Sequence, residues 1–294
     1  MTKINLFEEE ELILHIADLH YGEKVESEYN TYNTAIAKKR LDYFFDKALR
    51  IARDIYSKAI PIKKVHIFIN GDMILNETMR GSQKMVAEMN LIEQVNGVAE
   101  LLARNIIQFV RRWKAIEVVH IYGVPGNHGR IGKPGDEDQA ANYDRQVYDR
   151  LELEIELAVA TCNDLRDRKF KFHFNRRGEL AIAKVAGKWI VMHHSDGVKN
   201  QLGIPYYGLA RLRDRLYKAL KGKMDILLVG HFHRGYMENE GTVKMIMAPS
   251  LVGWNEYIGK AGMGHFAGQN IYLVHPTWGI TTERTISVGH IKEG

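Results

Sequence analysis

Apolar positions recur with two different periods along the chain. Short runs rich in β-branched and aromatic residues, LILHIA (12–17), VHIFIN (65–70), VVHIYGV (118–124), KWIVMH (188–193) and DILLVG (225–230), predict buried strands. Between them, NTAIAKKRLDYFFDKALRIARDIY (33–56) and NLIEQVNGVAELLARNIIQFVRRW (90–113) repeat their apolar residues at helical spacing. Such alternation predicts an α/β layered fold. After residue 240 the helical spacing fades, and VKMIMAP, NIYLVHP and TTERTISVGHIK read as strands separated by glycine-rich turns. No repeat, low-complexity tract or Pro/Ser-rich linker divides the chain, so 1–294 is read as one domain, its strands from about 240 to 294 completing the second sheet. GRIGKPGDEDQ (129–139) is the best candidate for a mobile lid, since glycine and proline punctuate it and charges fill it.

The polar residues add a pattern of their own, because each of those first five strands stops in residues that bind cations. HIADLHYG places Asp18 and His20 two apart, so in an extended chain both project from one face. FINGDMI ends in Asp72, GVPGNHGR in Asn127 and His128, VMHHSDG in His193 and His194, and VGHFHR in His231 and His233. Open α/β sheets bind ligands outside the carboxyl ends of their strands, where such residues converge. Asp18, His20, Asp72, Asn127, one of His193 and His194, His231 and His233 are therefore expected to hold metal ions jointly. Imidazole, carboxylate and amide oxygen together suit Mn²⁺, Fe, Zn²⁺ or Ni²⁺ better than Mg²⁺ or Ca²⁺, and the lack of thiolate argues against a closed structural zinc site. His15, His66 and His120 lie inside apolar strands and are read as satisfied core residues, with orientation of a ligand as their functional alternative.

Composition narrows the setting. A chain of 294 residues with 45% hydrophobic content can bury a large core. Its one cysteine, Cys162, cannot form an internal disulfide, and MTKINLFEEEE lacks the apolar core of a secretory signal, so a cytoplasmic location is expected. No apolar run approaches the roughly 20 residues of a membrane span. A net charge of +5 favours an anionic partner. RLRDRLYKALKGK gathers Arg211, Arg213, Arg215, Lys218, Lys221 and Lys223 into one predicted helix, which also fits an ordinary solvated face. FVRRWK closes another helix, where cations offset the negative end of the dipole. No phosphate-cradling loop, dinucleotide fingerprint or nucleophile elbow follows a strand, and the NET sequon at Asn76 is taken as accidental.

Asp18-x-His20, Gly71-Asp72, Gly126-Asn127-His128, His194 and Gly230-His231-x-His233 together resemble the ordered signature of the calcineurin-like metallophosphoesterases, over residues 12–234. The resemblance implies a four-layer α/β/β/α sandwich with two mixed β-sheets, and two divalent cations about 3.5 Å apart, Mn²⁺ first among the candidates. Matched motif by motif, Asp72 would bridge the pair. Asp18, His20 and His233 would hold one ion, and Asn127, His194 and His231 the other. HSDG resembles a form of the fourth motif seen in phage-type members, which favours His194 over His193, and GIPYYG shares that phage-type flavour. One departure stands out: where the family follows Gly-Asn-His with an acid that orients the histidine, this chain has Gly129 and Arg130. The orienting carboxylate is then sought in Asp136, Glu137 or Asp138, or is missing.

Two divalent cations against two carboxylates leave a positive centre that attracts phosphate, and lower the pKa of a shared water so that it attacks phosphorus in line. His128, beside a ligand but not itself bound, is placed to protonate the leaving group. Arg130, Lys133 and Arg234 are near enough in sequence to contact substrate phosphate. The basic balance tilts the expected substrate towards phosphodiesters in nucleic acid. A hydrolase of cyclic nucleotides or phosphomonoesters, or an inactive scaffold that keeps the fold, are the alternatives. No membrane partner is expected; a homodimer is kept open.

Overall fold

Residues whose side chains alternate between two covered faces dominate the strands, and this builds two sheets stacked face to face. The computed structural model describes residues 8–78, 81–132, 140–175, 177–199, 205–239, 241–255 and 266–292. In chain order, β1 (Glu10–Ile16), the short pair β2 (Val25–Glu26) and β3 (Thr31–Tyr32), α1 (Thr34–Leu49) and β4 (Ile62–Asn70) lead into α2 (Gly81–Lys84), α3 (Leu91–Arg112) and β5 (Val118–Val124). Then come α4 (Tyr143–Thr161), β6 (Lys169–Phe174), β7 (Leu180–Val185), β8 (Lys188–His193), α5 (Tyr206–Ala219) and β9 (Ile226–Val229). β10 (Tyr236–Glu238), β11 (Lys244–Met247), β12 (Gly268–His275) and β13 (Gly279–Ser287) complete the set.

The larger sheet has the order β13-β12-β1-β4-β5-β6, the smaller β10-β11-β9-β8-β7. Both are mixed: β1, β4, β5 and β6 run parallel, as do β8, β9 and β11, while β12, β13, β7 and β10 pair antiparallel at the edges. Ile13 and Phe68 face Ile190, Met192 and Leu228 across the gap between the sheets. Their neighbours Leu12, Leu14, Ile67 and Ile69 turn outward against Phe44, Leu102, Phe109 and Leu151 of the helices. A strand covered on both faces reads as a continuous apolar run, which is why LILHIA carries so little alternation. Helices α1, α3 and α4 thus cover one sheet. The other is covered by α5 through Leu209, Leu212 and Leu216, giving the expected α/β/β/α order. Each of these fully buried side chains contributes roughly 1.5–3 kcal/mol.

Local signals agree with the elements. Asn90 and Glu93 form a reciprocal capping box at the start of α3, and Arg111 and Arg112 close its last turn. The basic α5 buries only Leu209 fully, and its Arg213 is held by Asp214 and Glu238. The C-terminal strands depart from expectation. β10 and β11 complete the smaller sheet, but β12 and β13 join the larger one, where β12 lies antiparallel to β1 from Glu11↔Val274 to His15↔Asn270. Pairing across 250 residues leaves no local trace. The lid expected over 129–139 lies, from 133 onward, outside the described residues. Among the described residues no helix is long and apolar enough to cross a membrane.

Candidate metal centre

The chain leaves its central strands through left-handed backbone. Asp18 (φ 52°), His20 (44°), Asp72 (55°), His231 (71°) and His233 (54°) all lie there, at a cost of roughly 1–2 kcal/mol for each L-residue. Such strain persists only where the surroundings over-determine it, and here the turns are stitched to one another. Asp18 donates its N–H to Gly71 O at 3.2 Å, His20 to Asp72 O at 3.0 Å, and Leu251 to Asp18 O at 3.1 Å. Gly126 packs so closely on Asp72 that a Cβ would collide with its carboxylate and its backbone nitrogen. Glycine ahead of Asn127 is therefore a spatial requirement.

Two groups of ligand atoms result. Asp18, His20 and His233 form one, and Asp72, His194 and His231 the other; His20, Asp72 and His128 lie equally close, so that Asp72 joins the two halves. His20 Nε2 is 2.9 Å from His233 Nε2, and Asp18 Oδ1 is 3.9 and 3.5 Å from these nitrogens. His194 Nε2 is 3.0 Å from Asp72 Oδ2 and 3.3 Å from Asn127 Oδ1. Bonds of about 2.1 Å to one ion put adjacent ligand atoms about 3.0 Å apart in an octahedron and about 3.4 Å in a tetrahedron. Four of the five separations lie close to edges of such polyhedra; that of His20 Nε2 from Asp18, at 3.9 Å, is longer. In addition, His20 Nδ1 and His233 Nδ1 are buried without a hydrogen-bond partner. The donor set and its spacing fit a pair of divalent cations.

Electrostatics agree. Burial opposes any charge here, yet His194 and His128 hold Asp72 well below the usual carboxylate range. Burial would likewise lower His194, but Asp72 lifts it to about 10. The two shifts favour a proton between His194 and Asp72, which a cation held by the same pair would displace. Burial and neighbouring imidazoles push His20 well down and His231 to about 4, which keeps both neutral and ready to ligate. His194 Nδ1 donates to Asn70 O at 2.7 Å, leaving Nε2 facing Asp72.

Asp18, His20, Asp72, Asn127, His194, His231 and His233 all converge, with His128 beside them. Of the ambiguous pair it is His194 that turns inward; His193 points away to Ser195 Oγ at 3.0 Å and Glu179 at 3.7 Å. The three cations expected on substrate phosphate fare differently. Arg130 is tied to Asp196, Arg234 bonds Tyr206 Oη at 3.3 Å, and neither lines the cavity in front of the centre. Sequence proximity to a ligand does not set direction. Lys133, with Asp136, Glu137 and Asp138, lies outside the described residues. Among the described residues it is a carbonyl that orients His128, whose Nδ1 donates to Leu75 O at 2.8 Å. Asn76 donates to the His128 and Arg130 carbonyls and so braces this turn.

Other residues of the centre carry no motif. Asp144, at the start of α4, accepts the N–H groups of Asp72 (2.9 Å), Met73 (3.0 Å) and Gly126 (2.8 Å), binding the ends of β4 and β5 together. Burial, aided by Asp72, raises its carboxyl to about 6. Glu23 and Gln83, both buried, line a cavity of about 620 Å³ that opens from the ligands towards Val25, Met85, Val86 and Trp254.

Comparisons with known proteins place this geometry. The family model for calcineurin-like phosphoesterases matches residues 12–235. A curated relative, the SPbeta prophage-derived uncharacterized protein YonJ of Bacillus subtilis (strain 168), is 21% identical over 273 residues, which cover 89% of this chain and 60% of YonJ. The chain thus spans less than two thirds of that protein's length. Among solved structures, one described as a novel archaeal phosphodiesterase superposes with a TM-score of 0.43 at 11% identity, covering 94% of this chain and 99% of that one. Zn²⁺-complexed Vps29 from Entamoeba histolytica gives a TM-score of 0.37 at 13% identity, covering 94% and 99%.

Proposed function

Because the chain belongs to the calcineurin-like phosphoesterase family, whose chemistry is metal-dependent phosphoester hydrolysis, we propose that it hydrolyses phosphodiester bonds in nucleotide-type substrates. The observation that carries this reading is the meeting of two ligand groups at Asp72, in front of a cavity large enough for a nucleotide. Asp18, His20, Asp72 and His233 would hold one cation, and Asp72, Asn127, His194 and His231 the other. When bound, the pair supplies Lewis acidity and an ionised water. His128 lies within the same cluster, its ring 4.4 Å from that of His20. With Nδ1 donating to Leu75 O, its Nε2 is free to hold the proton that the leaving oxygen needs.

Nucleic acid as substrate is a second reading, supported by the net charge of +5 and by Arg211, Arg215 and Lys218 exposed on α5. That helix covers the outer face of the smaller sheet, and among the described residues lining the cavity Lys24 is the one Lys or Arg. The small-substrate reading follows more directly from the site. The test is a panel with Mn²⁺: bis(p-nitrophenyl) phosphate, p-nitrophenyl phosphate, cyclic nucleotides, and single- and double-stranded DNA and RNA. Turnover of diesters with little monoester cleavage is expected; cleavage of the monoester alone overturns the proposal, and cleavage of strands but not of small nucleotides promotes the second reading.

A further inference from the structure

The cavity has an order of chemistries along it. At one end are the ligand groups and His128. Next comes Glu23, three residues after His20, whose N–H donates to His20 O at 3.0 Å. The same cavity is lined by Val25, Met85 and Trp254, the last adjoining the Asn255 that Glu23 contacts. Glu23 is 8% exposed. One carboxylate oxygen accepts from Asn255 Nδ2 at 3.1 Å; among the described residues no Lys or Arg pairs with it, and the charges that act on it are the His233 and His128 imidazoles of the ligand cluster. It belongs to none of the ligand groups. A carboxylate buried without a cation is expensive unless it has donors to accept from. An anionic group placed there would be repelled, so the part of a substrate that meets Glu23 is a hydrogen-bond donor, and in a nucleotide the donor beside the phosphate is a hydroxyl.

The wall is built to stay in place. Arg40, fully buried, donates to Leu251 O (2.9 Å) and Val252 O (2.8 Å), and Asn30 Nδ2 holds Val252 O (2.8 Å) and Trp254 O (2.7 Å). On the other side Lys24 N–H donates to Val86 O at 2.7 Å and Glu88 N–H to Gly22 O at 2.9 Å. Glu23, Asn255 and Trp254 are thereby presented on anchored segments, as selective binding requires.

A phosphate site, then a lone acceptor, then a flat apolar face spell out a ribonucleotide. We propose that Glu23, steadied by Asn255, is a specificity-determining residue that accepts a hydrogen bond from the ribose 2′-hydroxyl of the substrate, whose base packs against Trp254, Met85 and Val25. The inference rests on the phosphodiesterase reading above and names the substrate class of that site. A charge-assisted hydrogen bond to a substrate hydroxyl discriminates by about 10- to 100-fold.

The test compares the 5′-(p-nitrophenyl phosphate) esters of uridine and 2′-deoxyuridine with Mn²⁺ present, in the full chain and in Glu23→Gln. That change keeps the Asn255 contact but turns the free acceptor into a donor. The wild-type chain should favour the uridine ester about 10- to 100-fold in kcat/KM, and E23Q should bring the ratio to about threefold or less. The Kd values of uridine and 2′-deoxyuridine 5′-monophosphates, measured calorimetrically, should show the same loss of preference. Equal handling of the two esters by the wild type, or a ratio that survives in E23Q, overturns the proposal. If the wild type fails even on bis(p-nitrophenyl) phosphate, the phosphodiesterase reading has failed instead, and the two Kd ratios decide the role of Glu23 by themselves.

Discussion

Histidines gather at two places along the same strands, and the two gatherings are built in opposite ways. His66 lies about 13 Å back along β4 from Asn70, four residues at about 3.3 Å each. There it stacks on His120 with ring planes 4° apart, and both rings stack with Tyr122. The nitrogens there have ordinary partners: His66 Nε2 meets Glu11 at 2.8 Å, His66 Nδ1 meets Tyr122 Oη at 3.5 Å, and His120 Nδ1 meets His173 Nε2 at 3.0 Å. The backbone is regular strand, and among the described residues no three ligand atoms gather there within 4.8 Å. At the strand ends the opposite holds: left-handed backbone, two unpartnered buried imidazole nitrogens, and carboxylates within reach of several rings. Histidine density does not mark a cation site. Strain, open nitrogens and shared carboxylates do.

That contrast can be broken from either side. Asp72→Asn should remove the group common to both halves and lower kcat/KM by about 10³-fold or more, measured on bis(p-nitrophenyl) phosphate. His128→Ala should cost about 10²- to 10⁴-fold in kcat while bound metal, assayed by atomic emission, stays constant; parallel loss of metal would make His128 a ligand rather than an acid. Asp144→Asn keeps one of the two acceptor oxygens under the ends of β4 and β5, and a 10- to 100-fold weaker metal affinity is expected, read by competition with a fluorescent chelator.

The smallest effects belong to the other gathering. Burial would raise the Glu11 carboxyl, but bonds from His66, Lys64 and the Ala186 N–H outweigh it and hold it at about 2. Its folded-state pKa is depressed, so its stabilisation is complete above pH 4.5 and is lost as pH falls towards 2. Burial, with His66 and His173 adding to it, lowers His120 to about 4. Its neutral form is favoured by folding, so that contribution is present above pH 6.5 and fades as pH falls to 4. Melting curves of Glu11→Gln and His120→Gln should flatten in those two windows respectively, with kcat at neutral pH little changed. A large loss of activity in either would erase the distinction between the two places.

Much of the centre was legible because each ligand follows an apolar run, and parallel strands deliver such ends to one edge. Alternation could not choose between His193 and His194, since it loses its phase where a strand turns; the likeness of HSDG to the family's fourth motif pointed to His194, the one that turns inward. Asp144 was invisible for a different reason: its partners are backbone N–H groups 18 to 72 residues away, and no side-chain pattern encodes them. Arg130 and Arg234 follow ligands along the chain, yet their side chains bond Asp196 and Tyr206, because nearness along the chain does not set direction in space. The sheet assignment of β12 failed because its register with β1 joins residues 255 to 263 apart.

The most direct test is a crystal grown with Mn²⁺ and measured on both sides of the manganese absorption edge. Two anomalous peaks flanking the Asp72 carboxylate, one beside His20 and His233 and the other beside His194 and His231, are the predicted result. A single peak, or none at those side chains, would contradict the account.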